Sequence, residues 1–298
     1  MRYTIALALA TVLPLPLWAK VPHVVTDIPP VHALVAQVMG DLGQPVLLLA
    51  KGADEHDFAL RPSQMGDIAD AGLVVWIGPE LTPWLDRALQ GSPAAQLALL
   101  EAPGTQTRDY APGEDDEAEG DGHVHGAINP HAWLDPGNAA VWLRLIAADL
   151  ARLDPENAAT YAANADTARA RLTALDAEVT ASLAPVKDKP FVTFHAAYGY
   201  FTAHYGLNPA PSLALGDAAA PGAARVAELQ AQVTADHITC LFPEAQHDPA
   251  LLRVLTEGTG ATLGGALDPV GSSYDPGPDA YAAILKGIAS TLADCLNH

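Results

Sequence analysis

Four side chains far apart in the chain share a description that suits metal chemistry: His56, His131, His195 and Asp268. His56 follows the apolar run at residues 46–50 through a polar loop, and His195 ends Phe191-Val192-Thr193-Phe194. Asp268 ends the strand-like stretch 261–267, and His131 lies in the connection 128–136 that opens a helix. In an open α/β sheet, ligands sit in the crevice at the carboxyl ends of the strands, where three of these residues would be delivered. Three neutral imidazoles and one carboxylate form a tetrahedral set for Zn2+, with bonds of about 2.0–2.2 Å. Sulfur-free, nitrogen-rich coordination disfavours Ca2+ and Mg2+, which take oxygen.

The elements that must position these groups read as α/β throughout. Strands at residues 21–26, 46–50 and 73–77 alternate with helices near 29–40, 62–71 and 82–90, and this alternation implies parallel pairing. A further helix spans about 138–150. From Asp154-Pro155-Glu156, a helix start with an N-cap acid and an early proline, Tyr161, Ala165, Ala168, Leu172, Leu175 and Val179 recur at spacings of four and three. That stripe predicts one helix to about residue 183, long enough to cross a domain. Beyond it, strands at 191–194, 211–215, 238–242 and 261–267 alternate with helices near 197–205, 223–233, 249–257 and 279–295. The expected architecture is therefore two similar α/β lobes, each a parallel sheet flanked by helices, joined by one long linker helix. The divisions are 20–153, 154–184 and 185–298. If the lobes face each other across the helix, the four candidate ligands converge on the cleft between them.

Composition narrows the function. Half of the 298 residues are hydrophobic and 17% are charged, so the chain has ample material for packed cores. A formal net charge of −20 and a pI near 4.6 argue against nucleic acid or an anionic membrane as partner and suit a cationic one. Residues 1–19 read as a cleavable export signal: Arg2, an apolar run too short to span a bilayer, and Ala19 at the end. No cysteine stands at the cut site. The only two cysteines, Cys240 and Cys295, then read as one disulfide in an oxidising compartment. Closing a loop of about 55 residues stabilises a fold by roughly 4 kcal/mol in the chain-entropy model. Between about 105 and 128, Glu114, Asp115, Asp116, Glu117, Glu119 and Asp121 precede His123 and His125, a solvated loop that could loosely collect a divalent cation. The glycines of Gly258–Gly264 follow a helix and precede a strand, the reverse of a dinucleotide loop.

Five segments carry a resemblance to a known family: GADEHDFALR at 52–61, NPHAWLDP at 129–136, FHAAYGYFTAHYGL at 194–207, CLFPEAQ at 240–246 and LDPVG at 267–271. The chain resembles the zinc-specific periplasmic binding proteins of ABC importers, of the ZnuA type, over nearly its whole length after the signal. The resemblance implies that His56, His131 and His195 bind zinc and that Asp268 supplies or neighbours the fourth ligand, with Glu55 as the alternative. It also implies two α/β domains on one long helix, a Cys240–Cys295 bridge, and a receptor that hands Zn2+, as cargo, to a membrane permease. Such a receptor is not an enzyme and is expected as a monomer in the periplasm. Zinc receptors often carry a long histidine-rich loop, whereas the loop here is chiefly acidic with only His123 and His125. Manganese receptors of the superfamily generally place a carboxylate where His195 stands, and the imidazole favours zinc.

Two other functions compete. A zinc hydrolase could use Glu55 or Asp135 as general base, but four protein ligands close the site, and no HExxH, GxSxG or P-loop pattern occurs. An adhesin-like receptor of the same fold is disfavoured by the lack of a lipid-attachment cysteine. His23, His32, His204, His237 and His247 match no motif and read as structural, as do Trp76, Trp84, Trp133 and Trp142.

Overall fold

The computed structural model describes residues 21–111, 128–214 and 221–298. The expected export signal at 1–19, His123 and His125 lie outside these residues. Among the described residues no helix is long and apolar enough to cross a membrane.

The first lobe holds four parallel strands, β1 (Val24–Thr26), β2 (Val46–Leu47), β3 (Leu73–Trp76) and β4 (Ala95–Ala98), in the order β2-β1-β3-β4. Helices α1 (Pro29–Met39), α2 (Pro62–Ala69), α3 (Pro83–Leu89) and α4 (Pro136–Leu153) accompany them, each opening on a proline at its first turn, where the missing N–H removes no helical bond. The long helix α5 (Ala158–Leu183) has 26 residues, about 39 Å at 1.5 Å per residue, between short 3₁₀ turns at Pro155–Asn157 and Ala184–Val186. The second lobe has three parallel strands, β5 (Phe191–Thr193), β6 (Cys240–Phe242) and β7 (Thr262–Leu263), in chain order. Its helices are α6 (Gly199–Tyr205), α7 (Ala223–Ala235), α8 (Ala250–Thr256) and α9 (Ala280–Leu296).

Several expected strands differ. β4 has no sequence signal, because Ala95-Gln96-Leu97-Ala98 lacks β-branched and aromatic residues; pairing with β3 makes it a strand. Residues 211–214 form no strand; the segment runs beside β5 through isolated bridges from Pro209 to Phe191 and from Ala214 to His195, with Leu213 and Ala214 donating to the Thr193 and Phe194 carbonyls. Pro209 and Pro211 lack the N–H that a ladder needs. The run at 46–50 narrows to β2, although Leu48 and Leu49 still donate to Thr26 and Asp27 carbonyls at 2.9 Å. The run at 261–267 narrows to β7 and a bridge between Leu267 and Glu244.

The stripe expected on the long helix is its buried face: Tyr161, Ala165, Ala168, Leu172, Leu175, Val179 and also Leu183. This face joins α1, α4 and α9 in one apolar cluster that runs from Val24 to Leu296 and includes both lobes. Two smaller clusters pack the other face of each sheet, one around Leu213, Leu229 and Leu252, the other around Ile68, Trp76 and Trp84. All four assigned tryptophans are buried. Polar bonds across the lobes reinforce the shared core: Trp133 Nε1 donates to the Pro269 carbonyl at 2.8 Å, and Tyr281 Oη to the Trp133 carbonyl at 2.6 Å. The Cys240–Cys295 disulfide joins β6 to the end of α9.

His204, at the end of α6, sits between two carboxylates: Nδ1 is 3.0 Å from Asp135 Oδ1 at the start of α4, and Nε2 is 2.9 Å from Asp176 Oδ1 on α5. The hydrogen bond to Asp135 raises its pKa above the ordinary 6.5, burial opposes this, and the Asp176 bond adds to it. Asp135 is held below its ordinary 3.8, since the His204 and Gly137 bonds outweigh its burial. A raised folded pKa stabilises fully below 6.5 and is lost as pH rises through the folded value, whereas a lowered carboxylate pKa stabilises above 3.8 and is lost below it. Urea unfolding should therefore show the stability gap between the protein and His204→Gln widest between about pH 4 and 6.5 and shrinking on either side. A second expectation concerns the disulfide: Cys240→Ala/Cys295→Ala should lose roughly 2–5 kcal/mol of unfolding free energy in the same measurement.

Candidate metal centre

The cleft between the lobes gathers ligating atoms from three connections. Glu55, His56, His131 and His195 each place one such atom within 4.8 Å of all the others. Their ring centroids lie 5.1 Å apart for His131 and His195, 5.3 Å for His56 and His131, and 6.0 Å for His56 and His195.

Local structure aims each ring. In the loop after β2, the Asp54 carboxylate accepts from the His56 N–H at 2.8 Å, and Trp84 Nε1 donates to the Glu55 carbonyl at 2.9 Å. Before α4, Asn129 Oδ1 accepts from both the His131 N–H at 3.0 Å and His131 Nδ1 at 2.8 Å. The amide cannot be turned round, because Asn129 Nδ2 donates across the lobes to the Ala196 carbonyl at 2.7 Å. After β5, His195 Nδ1 lies 2.6 Å from Glu244 Oε2, and Tyr198 Oη donates to Glu244 Oε1 at 3.0 Å. An amide oxygen and a carboxylate accept only, so both histidines carry their proton on Nδ1 and present a lone pair at Nε2. The two Nε2 atoms face each other at 3.2 Å.

Electrostatics favour a neutral His131 ring. Burial, then the neighbouring His195 and His56, hold His131 well below its ordinary pKa. Burial pushes the Glu55 carboxyl up, with His56 and His195 opposing. Glu55 Oε1 stands 3.9 Å from His56 Nε2, while Gln246 Nε2 donates to Glu55 Oε2 at 3.1 Å and to the Ala53 carbonyl at 2.6 Å. Tyr198 is pushed far above the usual phenol range by burial and by Glu244, which keeps it a donor.

Asp268 is not in this group of four. Its Oδ1 accepts from the N–H groups of Gly271 and Ser272 at 2.8 Å, and its Oδ2 from the Ser273 N–H at 2.8 Å and from the Ser273 hydroxyl. The expected site thus divides: three histidines and Glu55 come together, and Asp268 is engaged by its own loop. Sequence reading marked the segments that hold Asn129, Glu244 and Gln246 but gave these three residues no role. The signal for Glu244 is its place directly after a buried strand, the criterion that singles out His195.

A two-lobed α/β receptor with a buried, nitrogen-rich ligand cluster in its cleft is the class that this fold and site define. Residues 24–295 match the ZnuA family, zinc-uptake complex component A, periplasmic, and the chain belongs to that family. The chain is 48% identical to the high-affinity zinc uptake system protein ZnuA of Paracoccus denitrificans, covering 95% of this chain and 94% of the relative. It is 35% identical to the protein of that name from Brucella suis, over 92% and 91%. A crystal structure of ZnuA shares the fold with a TM-score of 0.77 at 24% identity, over 92% of this chain and 99% of that one. A Zn(II)-bound AdcAII variant of Streptococcus pneumoniae superposes with a TM-score of 0.77 at 26% identity, over 93% and 99%.

The carboxylate behind a ligating imidazole fixes its tautomer and raises its basicity, and losing such a partner typically weakens metal binding about 10- to 100-fold. Glu244→Gln should weaken zinc binding by that factor in a chelator competition. Glu228→Gln, on an exposed helix face, should leave it unchanged.

Proposed function

We propose that this chain captures Zn2+ in the periplasm between its two lobes and delivers it to the permease of an ABC importer, with His56, His131, His195 and Glu55 as ligands. One observation carries the reading: the Nε2 atoms of His131 and His195, from opposite lobes, lie 3.2 Å apart while an acceptor holds the Nδ1 edge of each ring, an arrangement that assigns the two Nε2 lone pairs to face each other. Two such lone pairs repel, and a cation drawn in beside His56 and Glu55 turns the repulsion into shared coordination. Three nitrogens and one carboxylate oxygen suit Zn2+ in a tetrahedral shell. Mn2+, a harder ion, prefers more oxygen. Asp268 then neighbours the shell and adds negative charge at its edge.

Four protein groups leave no coordination position for a reacting water, so binding rather than hydrolysis is the activity this site supports. The relatives' names, high-affinity zinc uptake system protein, support import as the purpose and a membrane permease as partner. We take the mature chain to be a monomer that begins after residue 19, with lobes at 20–153 and 185–298 on the linker 154–184.

A zinc site of about 10–16 kcal/mol shared by four ligands assigns roughly 2.5–4 kcal/mol to each, or about 10²- to 10³-fold in affinity. His131→Ala, His195→Ala and Glu55→Gln should each lose that much in competition with a fluorescent chelator, and Asp268→Asn distinctly less. A larger loss for Asp268→Asn than for Glu55→Gln would transfer the fourth position to Asp268. Unchanged binding in His195→Ala would end the proposal. Because imidazoles bind only when neutral, affinity should also fall as pH drops, and the burial that holds His131 well below its ordinary 6.5 moves that ring's share of the loss to lower pH than a free imidazole would show.

A further inference from the structure

On the far edge of the His195 ring a second set of ligating side chains comes together. His195, Glu244 and His247 each offer an atom within 4.8 Å of the other two. Glu244 Oε2 is 2.6 Å from His195 Nδ1 and 3.6 Å from His247 Nε2. The second separation is too long for a hydrogen bond. It is close to the spacing of about 3.3 Å between two ligand atoms on a tetrahedral zinc with bonds of about 2.0–2.1 Å. The first would have to open by about 0.7 Å, a small shift for a carboxylate on a loop.

His247 is held rather than loose. Its ring stacks on Phe194 with centroids 4.4 Å apart and planes 15° apart, and it meets the His195 ring edge-on at 6.1 Å. The Glu244 side chain is fully buried, whereas that of His247 is 21% exposed, more than the 12% of His56. The set therefore runs from solvent at His247, through a buried charge, to the ring that also faces the inner cluster.

We propose that Glu244 and His247, with the Nδ1 edge of His195, form a second and weaker site for a zinc-like dication. The proposal rests on the assignment of the Nε2 edge to the first ion. Zn2+ in the second site replaces the Nδ1 proton, which leaves to solvent, and His195 becomes an imidazolate shared by two ions. Water completes the outer shell at the exposed end. Two dications on one ring repel, and the Glu244 hydrogen bond to His195 is given up, so this site fills after the inner one. Its opening to solvent makes it a waiting position for an ion that arrives while the cage is full.

Zinc titration of the full chain by calorimetry tests the idea, comparing the protein with His247→Ala and with His123→Ala/His125→Ala. The expected result is a tight equivalent followed by a weaker one; His247→Ala loses the weaker equivalent and keeps the tight one, and the loop variant retains the equivalent that His247→Ala removes. Stoichiometry in His247→Ala equal to that of the unaltered protein overturns the proposal, as does loss of the tight equivalent in that variant. Absence of a tight equivalent before any substitution overturns the inner-site assignment as well, so the two failures are distinguishable.

Discussion

Two imidazole nitrogens, one from each lobe, face each other at 3.2 Å with their lone pairs opposed, and the rest of the structure is what allows this. Left to themselves, the rings would turn to take each other's protons or water. Asn129 prevents it for His131 by accepting twice from that residue while its amide is anchored across the cleft on Ala196. Glu244 does the same for His195, fixed in turn by Tyr198. A site held in this state needs little reorganisation when a cation enters, and less ordering cost on binding leaves more of the coordination energy as affinity.

Holding the two rings also requires the lobes to keep their distance. The buried face of α5 shares one apolar cluster with helices from both lobes, so rotating one lobe against the other would expose packed side chains on both. Trp133, Tyr281 and Gln246 add bonds across the same interface. Separate lobes on a flexible hinge would instead meet at a thin, polar contact. With a continuous core, the cheaper motion is in the loops that carry His56 and Asp268, where a few hydrogen bonds, some internal and some to Trp84, Trp133 and Gln246, would have to shift.

Much of this frame is legible in the sequence because it rests on periodicity. The stripe from Tyr161 to Val179 appears on the long helix residue for residue, since a single buried face leaves no alternative placement. His56, His131 and His195 are legible because each closes or opens a strand-to-helix connection. What is not legible depends on pairing across space. β4 is a strand only because β3 lies beside it. Glu244 and Asn129 matter through the nitrogen each one holds, and nothing along the chain links residue 244 to residue 195. His247 reads as one more surface imidazole until Phe194 and Glu244 are seen against it. Sequence reading puts Asp268 ahead of Glu55 as the fourth ligand; it does not show that Glu55 stands beside the three rings or that three N–H groups from the turn at residues 271–273 converge on Asp268.

Charge explains why a dication, rather than nothing, suits the cleft. Glu55 and Glu244 are both buried, and buried carboxylates without a compensating charge are expensive. The three imidazoles contribute no charge while neutral, and burial drives His131 firmly in that direction. Zn2+ among them brings two positive charges against two carboxylates, so the centre as a whole becomes neutral where its parts are not. A monovalent ion would leave one carboxylate uncompensated, and an all-oxygen ion such as Ca2+ would find too few oxygens. Asp268 does not need the ion in this balance, since three backbone N–H groups already offset it. The cleft therefore selects twice, by the softness of its nitrogens and by the number of charges it can neutralise.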